Sequence, residues 1–104
     1  MENITFEDLN LKSSILKAIK DLGYEHPSQI QAQAIPLAIE GYDLIGQAQT
    51  GTGKTAAFGC SILNNMKKSS KISSIILTPT RELAIQIYEE LIKLSKYEKI
   101  SILP

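Results

Sequence analysis

The chain has 104 residues, room for one small domain. Eleven basic and eleven acidic residues cancel to zero net charge, which excludes the global positive field of a dedicated nucleic-acid-binding domain, so any such binding must come from a local patch. A hydrophobic content of 43% with 21% charged residues is that of a soluble globular chain, and the single cysteine, Cys60, excludes an internal disulfide.

The start, Met1-Glu2-Asn3-Ile4, is acidic and lacks the basic region and long apolar run of a secretion signal or membrane anchor, so a soluble, cytoplasmic protein without a membrane partner is expected. Residues 13–22 form the first predicted helix, with Ile15, Leu16, Ile19 and Leu22 on one face and Gly23 as its stop. A second helix begins at Ser28 and carries Ile30, Ala34, Leu37 and Ala38 inward, with Pro36 expected to break or kink it. Gly41-Tyr42-Asp43 is a turn, and a first strand follows over 43–46.

The third helix is predicted over 54–67, ending in Lys67-Lys68, which suits its negative end, and places Cys60 as a small buried residue. Ser69-Ser70-Lys71 is a loop, and 72–78 is a second strand whose Ile75-Ile76-Leu77 lacks alternation, as in a strand covered on both faces. The fourth helix, 80–96, carries a stripe of Leu83, Ile87, Leu91 and Leu94 widened by Ala84, Tyr88 and Ile92, with Glu89 and Lys93 as an i,i+4 pair. Ile100-Ser101-Ile102-Leu103 reads as a third strand. The order β-α-β-α-β after two N-terminal helices predicts an α/β fold with a parallel sheet.

Three segments carry chemistry. Ala48-Gln49-Thr50-Gly51-Thr52-Gly53-Lys54-Thr55 joins a predicted strand to a predicted helix. Glycines there let successive N–H groups curl around one anion, and the following helix aims its positive end at the same point. Lys54 adds charge near outer phosphates and the Thr55 hydroxyl is a magnesium ligand, so a nucleoside triphosphate is the expected ligand. The strict pattern has Gly where this chain has Ala48, and the plain alternative is a flexible Gly/Thr surface loop.

Gly23-Tyr24-Glu25-His26-Pro27-Ser28-Gln29-Ile30-Gln31 has two readings. Ser28 and Gln31 make a capping box, satisfying free N–H groups at a helix start. The Gln31 amide, donor and acceptor on one planar group, also matches two neighbouring positions on a purine edge. Pro79-Thr80-Arg81-Glu82-Leu83-Ala84 is either an ordinary strand-to-helix connection with Thr80 as cap, or a phosphate contact made by a helix N-terminus and Arg81, the only arginine.

Taken together, Phe6 seventeen residues before Gly23, then Gly23-Tyr24-x-x-Pro27-Ser28-x-Ile30-Gln31, the 48–55 loop and Pro79-Thr80-Arg81-Glu82-Leu83-Ala84 resemble the DEAD-box ATP-dependent RNA helicases in order and spacing. That family commonly has Ala or Ser at the position of Ala48. The resemblance implies part of the first RecA-like P-loop domain, with 1–41 as the adenine-reading Q-motif region and 42–104 as the P-loop (Walker A) segment. It implies ATP and Mg2+ as cofactors. Gln31 would read the adenine edge, with Phe6 packing on the base and Tyr24 nearby. Ala48, Gln49, Thr50, Gly51, Thr52, Gly53, Lys54 and Thr55 would hold the phosphates, Lys54 and Thr55 being the catalytic pair and Thr55 the metal ligand. Pro79, Thr80, Arg81 and Glu82 would grip the backbone of single-stranded RNA without regard to base identity. His26 is read as a solvated side chain.

The resemblance also implies what these residues lack: the Asp-Glu-Ala-Asp and Ser-Ala-Thr segments and the second RecA-like domain with its arginine fingers. In RecA-like sheets other strands lie between the P-loop strand and the next one in sequence, so 43–46 and 72–78 are expected to lack partners or to pair differently, with low stability and a tendency to associate. ATP binding without hydrolysis is expected. The alternatives are a non-catalytic nucleotide- or RNA-binding fragment and a truncated gene product.

Overall fold

The computed structural model describes residues 4–48, 53–67 and 71–104. Its first element is a short 3-10 helix, Phe6–Leu9, which the apolar spacing did not signal. Thr5 and Asp8 close a reciprocal cap around it, the Thr5 N–H donating to the Asp8 carboxylate at 2.9 Å, and Asn10 ends it in the left-handed region. The turn drives Phe6 and Leu9 into the core.

Helix α1 (Ser13–Asp21) buries Ile15 and Ile19, with Leu16 and Leu22 half-buried against the same cluster. It stops at Gly23, whose φ of +82° lets the Gly23 and Tyr24 N–H groups donate back to the Lys20 and Ile19 carbonyls. Helix α2 (Gln29–Ile39) runs through Pro36 without a break. The proline deletes one backbone bond near the helix end, while the fully buried Ile35 before it anchors that turn. The buried stripe of α2 is also not the expected one. Gln31 and Ile35 face inward, Ile30, Ala34 and Ala38 are half-buried, and Leu37 is exposed.

Helix α3 (Lys54–Asn65) packs most extensively on α2 and also contacts α4 (Arg81–Leu94). A Cβ on Gly59 would lie 2.8 Å from a Leu91 methyl, so the missing side chain sets how closely α3 and α4 approach. Helix α4 buries Ile87, Leu91 and Leu94, whereas Leu83 and Ile92 of the expected stripe remain exposed. Glu89 and Lys93 form no ion pair.

Polar contacts tie the helix ends together. The Asn64 amide oxygen accepts from the Lys12 N–H at 2.7 Å at the start of α1, and the Asn65 amide donates to the Ile39 carbonyl at 2.9 Å at the end of α2. Beyond α4, the Tyr97 hydroxyl donates to Asp21, and the Lys17 ammonium sits 4.5 Å above the Tyr97 ring.

No β-strand forms among the described residues, so the expected parallel sheet is absent from this arrangement. Ladders need a partner edge about 4.8 Å away. Instead, a cleft of about 900 Å³ opens between residues 42–46 and Ser73-Ser74. Ile30 and Ala34 of α2 and Ala57, Phe58 and Ile62 of α3 line it. A smaller gap of about 170 Å³ separates the region of Ser74, Ile76 and Thr78 from residues 101–104. Residues 43–48, 72–77 and 99–104 make no backbone–backbone hydrogen bond among the described residues. Ile45, Leu77 and Leu103 are consequently 98%, 89% and 90% exposed.

Candidate functional site

The site begins at the start of α2. The Ser28 hydroxyl accepts from the Gln31 N–H at 3.4 Å, and the Gln31 amide oxygen accepts from the Ser28 N–H at 2.9 Å, so the capping box is formed. The same side chain does more. Its nitrogen donates to the Gly53 carbonyl at 3.1 Å. A carboxamide has two N–H donors and two acceptor lone pairs, so Gln31 retains one of each after both bonds. Capping and purine recognition are therefore compatible on one group.

Gly53 precedes α3 with φ +86°, and a Cβ there would overlap the Gln31 amide. Glycine is required both for the left-handed backbone and for the approach of Gln31. The first helical bond of α3 runs from the Ala57 N–H to the Gly53 carbonyl at 3.1 Å, leaving the N–H groups of Lys54, Thr55 and Ala56 without helical partners. Without partners among the described residues, these donors and the positive helix end suit an anion. Lys54 is exposed and Thr55 half-buried. Gly46, Gln47, Ala48 and Lys54 border an open hollow of about 530 Å³ beside this helix start. Gln49, Thr50, Gly51 and Thr52 lie outside the described residues.

The aromatic pair is placed differently. Phe6 is 3% exposed, and Tyr24 stacks on it with ring centroids 6.5 Å apart and planes at 28°. The short helix bearing Phe6 packs on α2, which carries Gln31. Tyr24 presents the more open ring, and its hydroxyl donates to Glu90 of α4 at 2.7 Å. Burial first, and then the Glu90 carboxylate, push the Tyr24 phenol up to about 12. No periodicity or motif marks Glu90 as this partner, because 66 residues separate the two. His26 is exposed, as read from the sequence.

At the start of α4 the Thr80 hydroxyl accepts from the Leu83 N–H at 3.1 Å, and the Thr78 hydroxyl donates to the Thr80 carbonyl at 2.9 Å. Pro79, Arg81 and Glu82 are exposed around this capped end. Among the described residues no group of three or more His, Cys, Asp or Glu side chains is placed to hold a metal, and no helix is long and apolar enough to cross a membrane. The Thr55 hydroxyl, a hard oxygen donor at the helix start, suits Mg2+ as one ligand.

The start of α3 thus has a glycine before it with the Gln31 amide docked on that glycine, and helix starts of this kind suit an anion. Residues 28–103 match the DEAD/DEAH box helicase family, and the chain belongs to it. It is 52% identical over 95 residues to the DEAD-box ATP-dependent RNA helicase RhpA of Helicobacter pylori, covering 91% of this chain and 19% of that protein. It is 51% identical over 102 residues to CshA of Bacillus subtilis, covering 97% and 21%. The chain thus spans about a fifth of the length of these relatives. Among solved structures, a DEAD box protein from Methanococcus jannaschii superposes with TM-score 0.84 at 44% identity, over 90% of this chain and 26% of that one. S. cerevisiae Dbp5 bound to RNA and ADP BeF3 gives 0.89 at 37%, over 93% and 26%.

Proposed function

We propose that the chain carries the ATP-binding cradle and a first RNA contact of an ATP-dependent RNA helicase. The observation that carries this reading is the Gln31–Gly53 hydrogen bond, which couples a purine-reading amide to the phosphate-binding helix start. Gln31 meets the adenine edge with its remaining N–H and lone pair, and Tyr24, backed by Phe6, flanks the base. Residues 48–55 surround the phosphates, with Lys54 on the outer ones. Mg2+ held in part by Thr55 supplies charge neutralisation at those phosphates when bound. Pro79, Thr80, Arg81 and Glu82 contact the backbone of single-stranded RNA, so binding is insensitive to base sequence.

Phosphoryl transfer also needs a second metal holder, a group that positions water and usually an arginine on the developing charge. No acidic cluster stands beside Thr55 among the described residues. This chain by itself binds ATP without turning it over, and hydrolysis coupled to duplex opening belongs to a complete helicase.

Calorimetric titration of Mg2+–ATP into the 104-residue chain, beside Lys54→Ala and Gln31→Ala, tests the reading. Saturable binding that is lost in Lys54→Ala and weakened in Gln31→Ala is the expected result. A folded chain that binds no ATP, or binds it equally well in all three forms, overturns it. In a parallel titration with single-stranded RNA, Arg81→Ala should weaken every sequence alike and flatten the salt dependence by about one unit of slope.

A further inference from the structure

Tyr24 stands in the short connection between α1 and α2, outside any regular element. Three contacts hold it nonetheless. Its N–H donates to the Ile19 carbonyl at 3.2 Å, its ring stacks on Phe6 with centroids 6.5 Å apart, and its hydroxyl donates to the Glu90 carboxylate at 2.7 Å. Phe6 is buried, so the stack rests on the core, while 36% of Tyr24 stays exposed. A tyrosine side chain turns about only two bonds. The stack by itself lets the ring tilt and slide, and a second contact at the tip removes that freedom. Glu90 supplies it from the middle of α4, half-buried and without an ion pair among the described residues. A hydroxyl donating to an ionised carboxylate makes a bond of the strong, charge-assisted kind.

We infer that Glu90 is a positioning residue for nucleotide binding: by holding the Tyr24 hydroxyl it sets the ring in the orientation that flanks the base. The inference rests on the reading of Tyr24 as part of the adenine site. Ordering a free side chain at binding costs affinity, and a ring already held avoids that cost. Glu90 acts only through the ring, so its effect is confined to ligands that carry a base. The sign is diagnostic. Removing a carboxylate near a bound anion strengthens binding by charge alone, whereas releasing the ring weakens it. The brace also comes from α4, the helix whose start carries Thr80 and Arg81.

Calorimetric titration of the 104-residue chain with Mg2+–ATP and, separately, with Mg2+–tripolyphosphate tests it. Glu90→Ala should weaken ATP about two- to tenfold and leave tripolyphosphate unchanged, with helix content by circular dichroism preserved. Glu90→Gln, whose amide oxygen still accepts from the phenol, should restore ATP affinity. In a Tyr24→Phe background, Glu90→Ala should cost ATP nothing further, because the contact is already gone. Glu89→Ala removes the same charge from the exposed neighbour and should not weaken ATP. Equal weakening of both ligands assigns Glu90 a merely structural role and overturns the inference. A Gln variant as weak as the Ala variant, or a further loss in the Tyr24→Phe background, overturns it as well. ATP binding that depends on Lys54 and ignores Glu90 overturns this inference alone. ATP binding that is absent, or indifferent to Lys54→Ala, overturns the cradle reading and the inference with it.

Discussion

The carboxamide nitrogen of Gln31 donates to the carbonyl oxygen of Gly53 at 3.1 Å, joining the start of α2 to the start of α3. With the Ser28 N–H on its oxygen, the 5%-exposed side chain is fixed from both ends. The starts of α2 and α3 are thus tied to each other through one side chain.

Replacing Gln31 by alanine removes both bonds and leaves the Ser28 N–H and one lone pair of Gly53 unsatisfied. A loss of about 1–3 kcal/mol in unfolding free energy is expected from the cap and the buried polar groups together. Urea denaturation followed by helix circular dichroism measures it, and an unchanged midpoint would show that the amide contributes nothing to the fold.

Gly53→Ala forces a Cβ into the Gln31 amide and holds a non-glycine residue at φ +86°. The left-handed backbone alone costs about 1–2 kcal/mol, and displacing Gln31 adds the loss of its bond. The variant should unfold earlier in urea than Gln31→Ala. Combining the two substitutions should cost less than their sum, because both break the same contact.

Gly59→Ala introduces a methyl 2.8 Å from Leu91 and 3.3 Å from the fully buried Leu94. Overpacking costs about 1–3 kcal/mol, and the better helix propensity of alanine returns about 1 kcal/mol. Net destabilisation is the expected sign, seen as a lower thermal midpoint. A raised midpoint would mean that the α3–α4 contact yields more easily than the geometry indicates.

Stability should fall on the alkaline side. Burial pushes the Cys60 thiol from 9.0 up to about 12, and the Tyr24 phenol is raised from 10.0 to about 12. The folded chain therefore holds both protons at pH values where the unfolded chain has released them. Their stabilising contribution is complete below pH 9 and is lost as pH rises from there to about 12. Cys60→Ala should flatten the start of this decline and Tyr24→Phe its part above pH 10. Equilibrium unfolding at several pH values checks the sign, and thiol labelling at pH 8 should proceed only as fast as the chain opens.

Local chemistry made much of this protein legible. The stop at Gly23, the Ser28–Gln31 box and the Thr80 cap depend on residues a few positions apart, and all three stand in the structure. The buried faces of α1 and of the second half of α4 follow their apolar spacing. The helix expected from Lys54 stands as Lys54–Asn65 for the same reason: the glycine before its start and the residues that open it are contiguous in the chain.

Tertiary structure decided what local pattern cannot. Gln31 and Ile35 became the inner face of α2 because α3 packs there, and Ile30 and Ala34 were left to line a cleft. Tyr24 found Glu90 on a helix far along the chain, and Phe6 went into the core beneath it. A helix completes its backbone bonds within its own segment, so its sequence suffices to predict it. A strand completes them only with a neighbour. Residues 43–46 and 72–78 carry strand chemistry without forming strands, because no backbone partner among the described residues lies beside them.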